Sequence, residues 1–422
     1  MEKVFKFKGF ALLDGAVPWI VAVYCMIEVF LAAALPSAFL ESLLRIAKFA
    51  IFFLFLCHVT VDMVKGYFPF KKSNLLFLAF FILGLCIYFG ASNIGLYFVL
   101  IPLLLVVLRD RDFRDITKKT SLLVGIALLT VILLSLVGVL PNEVFSTRGE
   151  TERYTLGFTY ATLSQTIVMF VSLTLNFSYR EKTPYWLLAL EVAVSVFVYI
   201  YTDTRTGFFL TLVIVIFTLF AKWRRFLPFQ KTLSLSFLQK PAFYNTLCFF
   251  PLLLFVGFGI LTILYQNEVP LAISANRFMS NRLLYTARAF AEQPLTLFGE
   301  MIDWYIPTET IFSELPIEEI VEKEYMGVDS AYYYYLFKTG VVGFLMVMTY
   351  DILACRHALK EKDSWLIFAL FICLMDGLLE SYLCDIRYNV FVLCLAYMAK
   401  GRGAPLTGKL CRQNKKERDC EQ

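Results

Sequence analysis

The cations with chemical potential in this chain are arginines in two places. Arg205 stands in the turn TDTRTG, and Arg277, Arg282 and Arg288 recur through SANRFMSNRLLYTARAFAEQP. A guanidinium presents a rigid fork of donors that matches phosphate oxygens, so arginines gathered around one space suit an anionic leaving group. Read as one helix from Ser274, the second stretch places Arg277, Asn281, Tyr285, Arg288 and Glu292 within about 80° of one another. Met279, Leu283, Ala287, Phe290 and Ala291 gather on the opposite side. The plainer alternative is an interfacial helix whose arginines snorkel to headgroups. At Arg205, Thr204 or Thr206 can cap the following helix and Gly207 permits close backbone approach, which together make a ready anion site. The competing reading is that Asp203 simply pairs with Arg205 across a tight hairpin. Arg148 and Arg153, in PNEVFSTRGETERYTLGF, add positive charge.

Carboxylates and aromatics complete the set. Asp329, in GVDSAYYYYLFK, can deprotonate a hydroxyl or orient an acceptor sugar. Tyr332 and the tyrosines after it suit sugar faces, or equally an aromatic belt at a membrane interface. Lys338 falls inside an apolar run, where an ionisable group is costly and usually functional or paired; Asp376 and Glu380, one turn apart, are candidate partners. Glu28, His58, Asp62 and Glu191 read as structural pairs. No phosphate-cradling P-loop is present, so an ATP-driven pump is not indicated. There is no HExxH motif and no cluster of His or Cys ligands, so no metal and no cofactor are expected. The ten cysteines lack CxxC spacing and read as small buried hydrophobes.

These residues need elements to position them, and composition says what kind. Of 422 residues 59% are hydrophobic and only 17% charged, and mean hydropathy is +0.69, well above a soluble protein's balance. Apolar runs of bilayer-crossing length follow one another. About twelve are expected, near 17–35, 46–63, 74–90, 93–108, 121–140, 156–177, 184–202, 206–220, 245–265, 330–350, 364–380 and 388–399. The expected fold is therefore an all-α polytopic membrane protein, a single integral membrane domain over 1–422. The basic N-terminus (MEKVFKFKGF) has no convincing cleavage site after it and reads as the cytoplasmic end of the first span. That orientation puts most of the 39 basic residues on the cytoplasmic side, including RDRDFRDITKK, KWRR and RHALKEK. Both termini are then cytoplasmic. The segment 266–328, between spans nine and ten, becomes one large outer loop; through Asp329 it carries eleven acidic against four basic residues.

Layout and motifs together resemble the O-antigen and capsular polysaccharide polymerases, the Wzy-type branch of the O-antigen ligase/polymerase superfamily. RYTLGFTYATLSQ, from Arg153, looks like that family's Arg–x–x–x–Gly–Phe segment opening a middle span. DTRTGF is similar to its Ser/Thr–Arg–x–Gly turn, which puts Arg205 on the family arginine. NRLLYTARAFAEQPLTLFG resembles the helix that starts the outer loop, with ten residues between Arg288 and Gly299. VDSAYYYYLFKTGVVGF looks like the segment that re-enters the membrane, without the Asn usual between the acid and the serine. The ligase branch's loop histidine is absent, since His58 and His357 are the only histidines and both read as cytoplasmic-side.

The resemblance implies metal-independent glycosyl transfer on the outer face of a bacterial cytoplasmic membrane, between undecaprenyl-diphosphate-linked repeat units. It implies that Arg205, Arg288 and either Arg282 or Arg277 hold the diphosphate, with Asp329 as base or acceptor-orienting group. Arg153, Tyr285, Tyr332 and Lys338 are the remaining expected substrate contacts. Implied partners are the lipid-linked oligosaccharide, membrane lipids, and flippase and chain-length regulator proteins; nucleic acid is not among them. An O-antigen ligase-type transferase and a lipid-linked oligosaccharide flippase or other transporter are the alternatives. A transporter would be expected to show an internal repeat, and none is detected.

Overall fold

Apolar runs fold as helices here because a backbone in lipid must satisfy its own hydrogen bonds. The computed structural model describes residues 8–64, 72–91, 95–109, 111–148, 151–224, 246–300 and 327–399. Helices α1 (Lys8–Leu31), α2 (Ala38–Val64), α3 (Lys72–Ala91), α4 (Gly95–Val107) and α5 (Phe113–Leu136) precede a two-stranded hairpin, β1 (Val144–Arg148) and β2 (Thr151–Tyr154). Then come α6 (Ala161–Tyr179), α7 (Tyr185–Thr202), α8 (Arg205–Arg224), α9 (Phe250–Gln266), α10 (Pro270–Phe278) and α11 (Arg282–Glu292). The chain closes with α12 (Ala331–Lys338), α13 (Gly340–Glu361), α14 (Ser364–Leu379) and a 3-10 stretch, Val390–Ala399.

Among the described residues six helices are long and apolar enough to cross a membrane, or up to seven if the bent pair α9–α10 is one span. Four shorter apolar helices account for further runs in the twelve-span expectation: Gly15–Leu31, Leu75–Phe89, Leu96–Val107 and Ser364–Leu379. The hairpin departs from an all-helical reading. Val144 pairs with Tyr154, and Arg148 with Thr151. Beyond it the backbone at Gly157 and Thr159 bonds Ala34 and Ala32 at the end of α1. Gly157 adopts φ +84, and a Cβ there would meet Ser135 at 3.0 Å, so only glycine fits this crossing.

Helix α6 is the centre, with 83% of its apolar window buried, against 11% for α2. It packs on α5, α7 and α8. Gly207 sits where α8 presses on α6: a Cβ would lie 3.0 Å from the Gln165 carbonyl oxygen. The close approach expected at this glycine is thus between two helices. At the bundle end away from the hairpin, Asp363 caps α14 by accepting from the Trp365 and Leu366 amides, and Arg180 reaches Asp363 at 2.5 Å. Within the bundle Glu28 pairs with Lys48 at 2.7 Å, and Glu191 accepts from Asn176 at 2.7 Å. Both agree with the reading of those acids as structural.

The expected tenth span, 330–350, is broken. Helix α12 ends at Lys338, and α13 restarts at Gly340 with φ +71. The segment Thr296–Gly299 lies across the break. Thr296 and Leu297 carbonyls accept from the Val341 and Val342 amides, both at 3.0 Å, supplying partners to the start of α13. A Cβ on Gly340 would lie 2.4 Å from the Gly299 nitrogen. Gly340→Ala should therefore cost about 3 kcal/mol, from the left-handed backbone plus overpacking. Gly257→Ala, with nothing within 4 Å of the added carbon, should be close to neutral. Thermal unfolding of the two variants in detergent distinguishes them, and equal midpoints would remove the strap from the account of α13.

Candidate functional site

The segment after α9 begins with a sharp change of direction. After α9 the backbone turns through Asn267–Val269, with Glu268 at φ +57, and α10 sets off at 116° to α9. The expected single helix from Ser274 to Glu292 is interrupted: Ser280 (φ +53) and Asn281 (φ +65) are left-handed, a conformation that asparagine tolerates better than most residues. Asn276 fixes the break. Its side-chain oxygen accepts from the Leu283 and Leu284 amides at 3.0 and 3.2 Å, and its amide nitrogen donates to Asn281 Oδ1 at 3.1 Å. Those bonds satisfy backbone donors at the start of α11 from the preceding helix. The consequence for the helical wheel is direct. Arg277 is exposed on α10 and does not share a helix face with Tyr285, Arg288 and Glu292, which remain together on α11.

Helix α11 docks through Leu283, Thr286, Ala287 and Ala289, all buried. Phe290 adds ring contacts to Tyr333 and Phe337 at 5.7 and 5.0 Å. That leaves Arg282 at the helix start facing the bundle. Its Nη2 donates to Glu380 Oε1 at 2.7 Å, its Nη1 to the Met279 carbonyl at 3.0 Å, and its Nε to the Leu379 carbonyl. Asp329 Oδ2 lies 3.7 Å from the same Nε. The two acids differ in access: the Asp329 side chain is 34% exposed and that of Glu380 only 9%. Asp329 is the more accessible of the two carboxylates.

Around this clasp stand most of the expected residues. Tyr285 is half-buried beside it; burial and the Asp329 charge push its phenol above the ordinary range, while Arg288 and Arg282 pull it down. Arg288, also half-buried, is thereby within electrostatic reach of Asp329's neighbour. Arg153, from β2, donates through Nε to the Thr202 carbonyl at 2.9 Å and acts electrostatically on Glu380. One residue past Thr202, Asp203 turns left-handed (φ +43) and its Oδ1 lies 3.5 Å from Arg205 Nε. The hairpin ion pair is therefore formed, and Arg205 is still 57% exposed. The Thr204 hydroxyl is turned to the Ala161 and Thr202 carbonyls, each at 3.4 Å, and so it does not cap α8.

Two expected contacts lie elsewhere. Tyr332 is fully buried, with its hydroxyl 3.4 Å from the Leu374 carbonyl, which makes it a core residue. Helix α12 is buried on most of its sides: Tyr332, Tyr333 and Tyr335 all lie in the core, and Tyr334 alone of the four tyrosines is half-exposed. Lys338 sits at the α12–α13 break with its ammonium 5.6 Å from the Tyr334 ring. The acids offered as its partners are engaged by Arg282 instead, Glu380 by contact and Asp376 within its field. The acidic middle of the loop, 301–326, lies outside the described residues.

Sequence reasoning missed Glu380 as the mate of Arg282, and missed the segment after it. Asp385 and Arg387 form a close multiple contact, and Tyr382 packs on Tyr388 with ring centres 4.7 Å apart. The signal available was an acidic and basic residue two apart just beyond an apolar run, which cannot be left unpaired at a membrane edge. Among the described residues no group of three His, Cys, Asp or Glu side chains is placed to hold a metal ion. What the array offers is four guanidiniums, those of Arg153, Arg205, Arg282 and Arg288, interleaved with the carboxylates of Asp203, Asp329 and Glu380. Guanidiniums of this kind suit phosphate-like oxygens.

Arg282→Met should destabilise by about 3–5 kcal/mol, because it strands the buried Glu380 charge. Glu380→Gln in the same chain should restore more than half of that loss, since the two side chains form one buried unit. A double-mutant cycle on thermal unfolding checks the coupling, and simple additivity would mean that the contact is incidental. No protein-family model, curated protein or solved structure matches this chain.

Proposed function

We propose that this chain is a membrane glycosyltransferase that polymerises lipid-linked oligosaccharide repeat units, as its resemblance to O-antigen and capsular polysaccharide polymerases implies. In this reading the chain crosses a bacterial cytoplasmic membrane about twelve times with both termini inside, and the hairpin, α10 and α11 face out. The observation that supports it best is the convergence of Arg282, Arg288, Arg153 and the reachable Asp329 at one end of the bundle. These residues come from segments far apart in sequence.

The chemistry fits the groups. Negative charge develops on a diphosphate as the growing chain leaves its lipid carrier, and preorganised guanidiniums stabilise that charge. Arg282 is already shared by two carboxylates, so its part is to fix α11 in place. Arg288 and Arg205, with Arg153 behind them, carry the leaving diphosphate. Asp329 accepts the proton from the incoming sugar hydroxyl or holds that hydroxyl in line. Neither Arg277, which is exposed on α10, nor Tyr332, which is buried in the core, has a part in this scheme.

Purified protein in liposomes, supplied with an undecaprenyl-diphosphate-linked repeat unit, should yield a ladder of longer glycans. Arg205→Ala and Arg288→Ala should each slow elongation by ~100-fold or more, as expected for loss of one preorganised donor, while the protein still inserts. Asp329→Asn should slow it comparably. Wild-type protein that moves units across the bilayer without elongating them would establish a transporter instead.

A further inference from the structure

Helix α5, one of the membrane-capable helices, carries an apolar stripe along one flank. Leu122, Ile126, Leu129 and Leu133 are each between 47% and 60% exposed. Their spacing of four, three and four residues gathers them within about 60° of one another on the helix surface. From Leu122 to Leu133 the helix rises roughly 16 Å, which is about one leaflet of a hydrocarbon core some 30 Å thick. The stripe borders the seam between α5 and α6. Gly125 lies on that seam, where an added Cβ would find only Val171 Cγ1, at 3.6 Å, so the seam stays shallow there. Val171, Leu175 and Tyr179, four residues apart on α6, are half-buried and continue one face of that helix away from the contact.

At the bundle end away from the hairpin, cations stand at the foot of this seam. Lys118, one turn before Leu122, is exposed, and its ammonium lies 5.2 Å from the Tyr179 ring. Arg114 is one turn before Lys118. Its Nη2 donates to the Ser178 carbonyl at 2.8 Å, while its Nε is buried and makes no hydrogen bond. Arg180, just past α6, is within repulsive reach of Arg114. Like charges one turn apart on a helix oppose each other, so the grouping calls for counter-charge. The acids within reach of Arg114 are Asp112, Asp363 and Glu181, and each is engaged elsewhere. Asp112 accepts from the Arg114 backbone amide, Asp363 binds Arg180 and caps α14, and Glu181 accepts from the Trp365 indole at 2.9 Å. Asp115 pairs with Lys119 at 2.7 Å rather than with Lys118. A buried donor without a bond requires an acceptor, and a phosphate oxygen supplies acceptor and charge together. Any lipid tail covers such a stripe; the cations at its foot are what select the headgroup, as in basic pockets between helices at a membrane surface.

We propose that the α5–α6 seam binds one anionic phospholipid, with its phosphate on Arg114 and Lys118 and an acyl chain along Leu122, Ile126, Leu129 and Leu133. The site shares no side chain with the Arg282 clasp and does not rest on the glycosyl-transfer reading. Full-length protein, stripped of lipid in a neutral detergent, is titrated with phosphatidylglycerol, phosphatidylcholine or inorganic phosphate. Thermal midpoint is recorded, and native mass spectrometry counts the lipids retained per chain. Phosphatidylglycerol should raise the midpoint saturably, since a ligand held only by the folded state stabilises it by mass action, and one molecule should be retained. Phosphatidylcholine should bind about tenfold more weakly, as for loss of one charged hydrogen bond, and inorganic phosphate should leave the midpoint unchanged. Lys118→Gln and Arg114→Gln should each weaken phosphatidylglycerol by about the same factor without altering phosphatidylcholine, while Asp329→Asn changes neither. Equal responses to the two lipids, or no response to phosphatidylglycerol, would overturn the proposal. So would an undiminished preference in both variants. A response to inorganic phosphate as large as that to lipid would mark a site for a free anion and overturn the lipid assignment. Should Arg114→Gln not fold, Lys118→Gln decides, because its ammonium stands at the surface over the Tyr179 ring.

Discussion

One guanidinium holds one end of this bundle together. Arg282 is 12% exposed and takes two carboxylates and two carbonyls as partners, drawn from α10, from the end of α14 and from the segment that leads into α12. A charge so placed is expensive to desolvate and is tolerated only when its partners surround it. The cost falls on whichever element moves first. If α11 tilted away, Glu380 would be left buried and uncompensated; if the start of α12 moved, Asp329 would lose its nearest cation. Three separate stretches of chain therefore share one position. Asp329 remains the accessible member because it lies at the edge of the clasp while Glu380 fills the centre.

The clasp also explains why the loop does not need to be self-sufficient. Asn276 organises the start of α11 from within the loop, but the strap at Thr296–Gly299 spends its carbonyls on α13. Gly340 is the residue that lets this happen, since any Cβ would collide with the Gly299 nitrogen. Both ends of the described loop are thus bonded to the helices that follow it. The arginines on α11 consequently sit on a helix whose start is bonded to Asn276 and whose following segment is bonded to α13.

Much of this was legible in the chain and some was not, for physical reasons. Apolar periodicity located the helices, and the polar face of α11 with Tyr285, Arg288 and Glu292 followed from the same arithmetic. The pairing of Asp203 with Arg205 was one of two stated possibilities because a two-residue separation at a tight turn leaves little else to meet. The break at Ser280–Asn281 was not legible, since the residue enforcing it, Asn276, could as well have been an ordinary helical polar residue. Glu380 was seen but given to Lys338, because its true partner is 98 positions away in sequence and only tertiary packing brings them together. The burial of Tyr332 was hidden by its place in a run of four tyrosines, of which only Tyr334 is half-exposed.

The buried polar groups divide into two kinds, and the division separates solvation from architecture. Thr166 and Thr174 on α6 give their hydroxyls to carbonyls one turn back, which hides a polar atom without fixing any other element. Groups that reach across elements do the fixing. Tyr335 donates to the Ser381 carbonyl and accepts from the Cys384 amide at 3.1 and 3.0 Å, so α12 grips the segment after α14. Asn389 in that segment donates to the Leu383 carbonyl at 2.7 Å and closes it on itself. Glu380 lies at one end of this segment and Asn389 at the other. The backbone that aims a carboxylate at Arg282 is therefore the same backbone that walls a small cavity beside Asp351. The arginine array and the cavity share a rigid support while using no side chain in common.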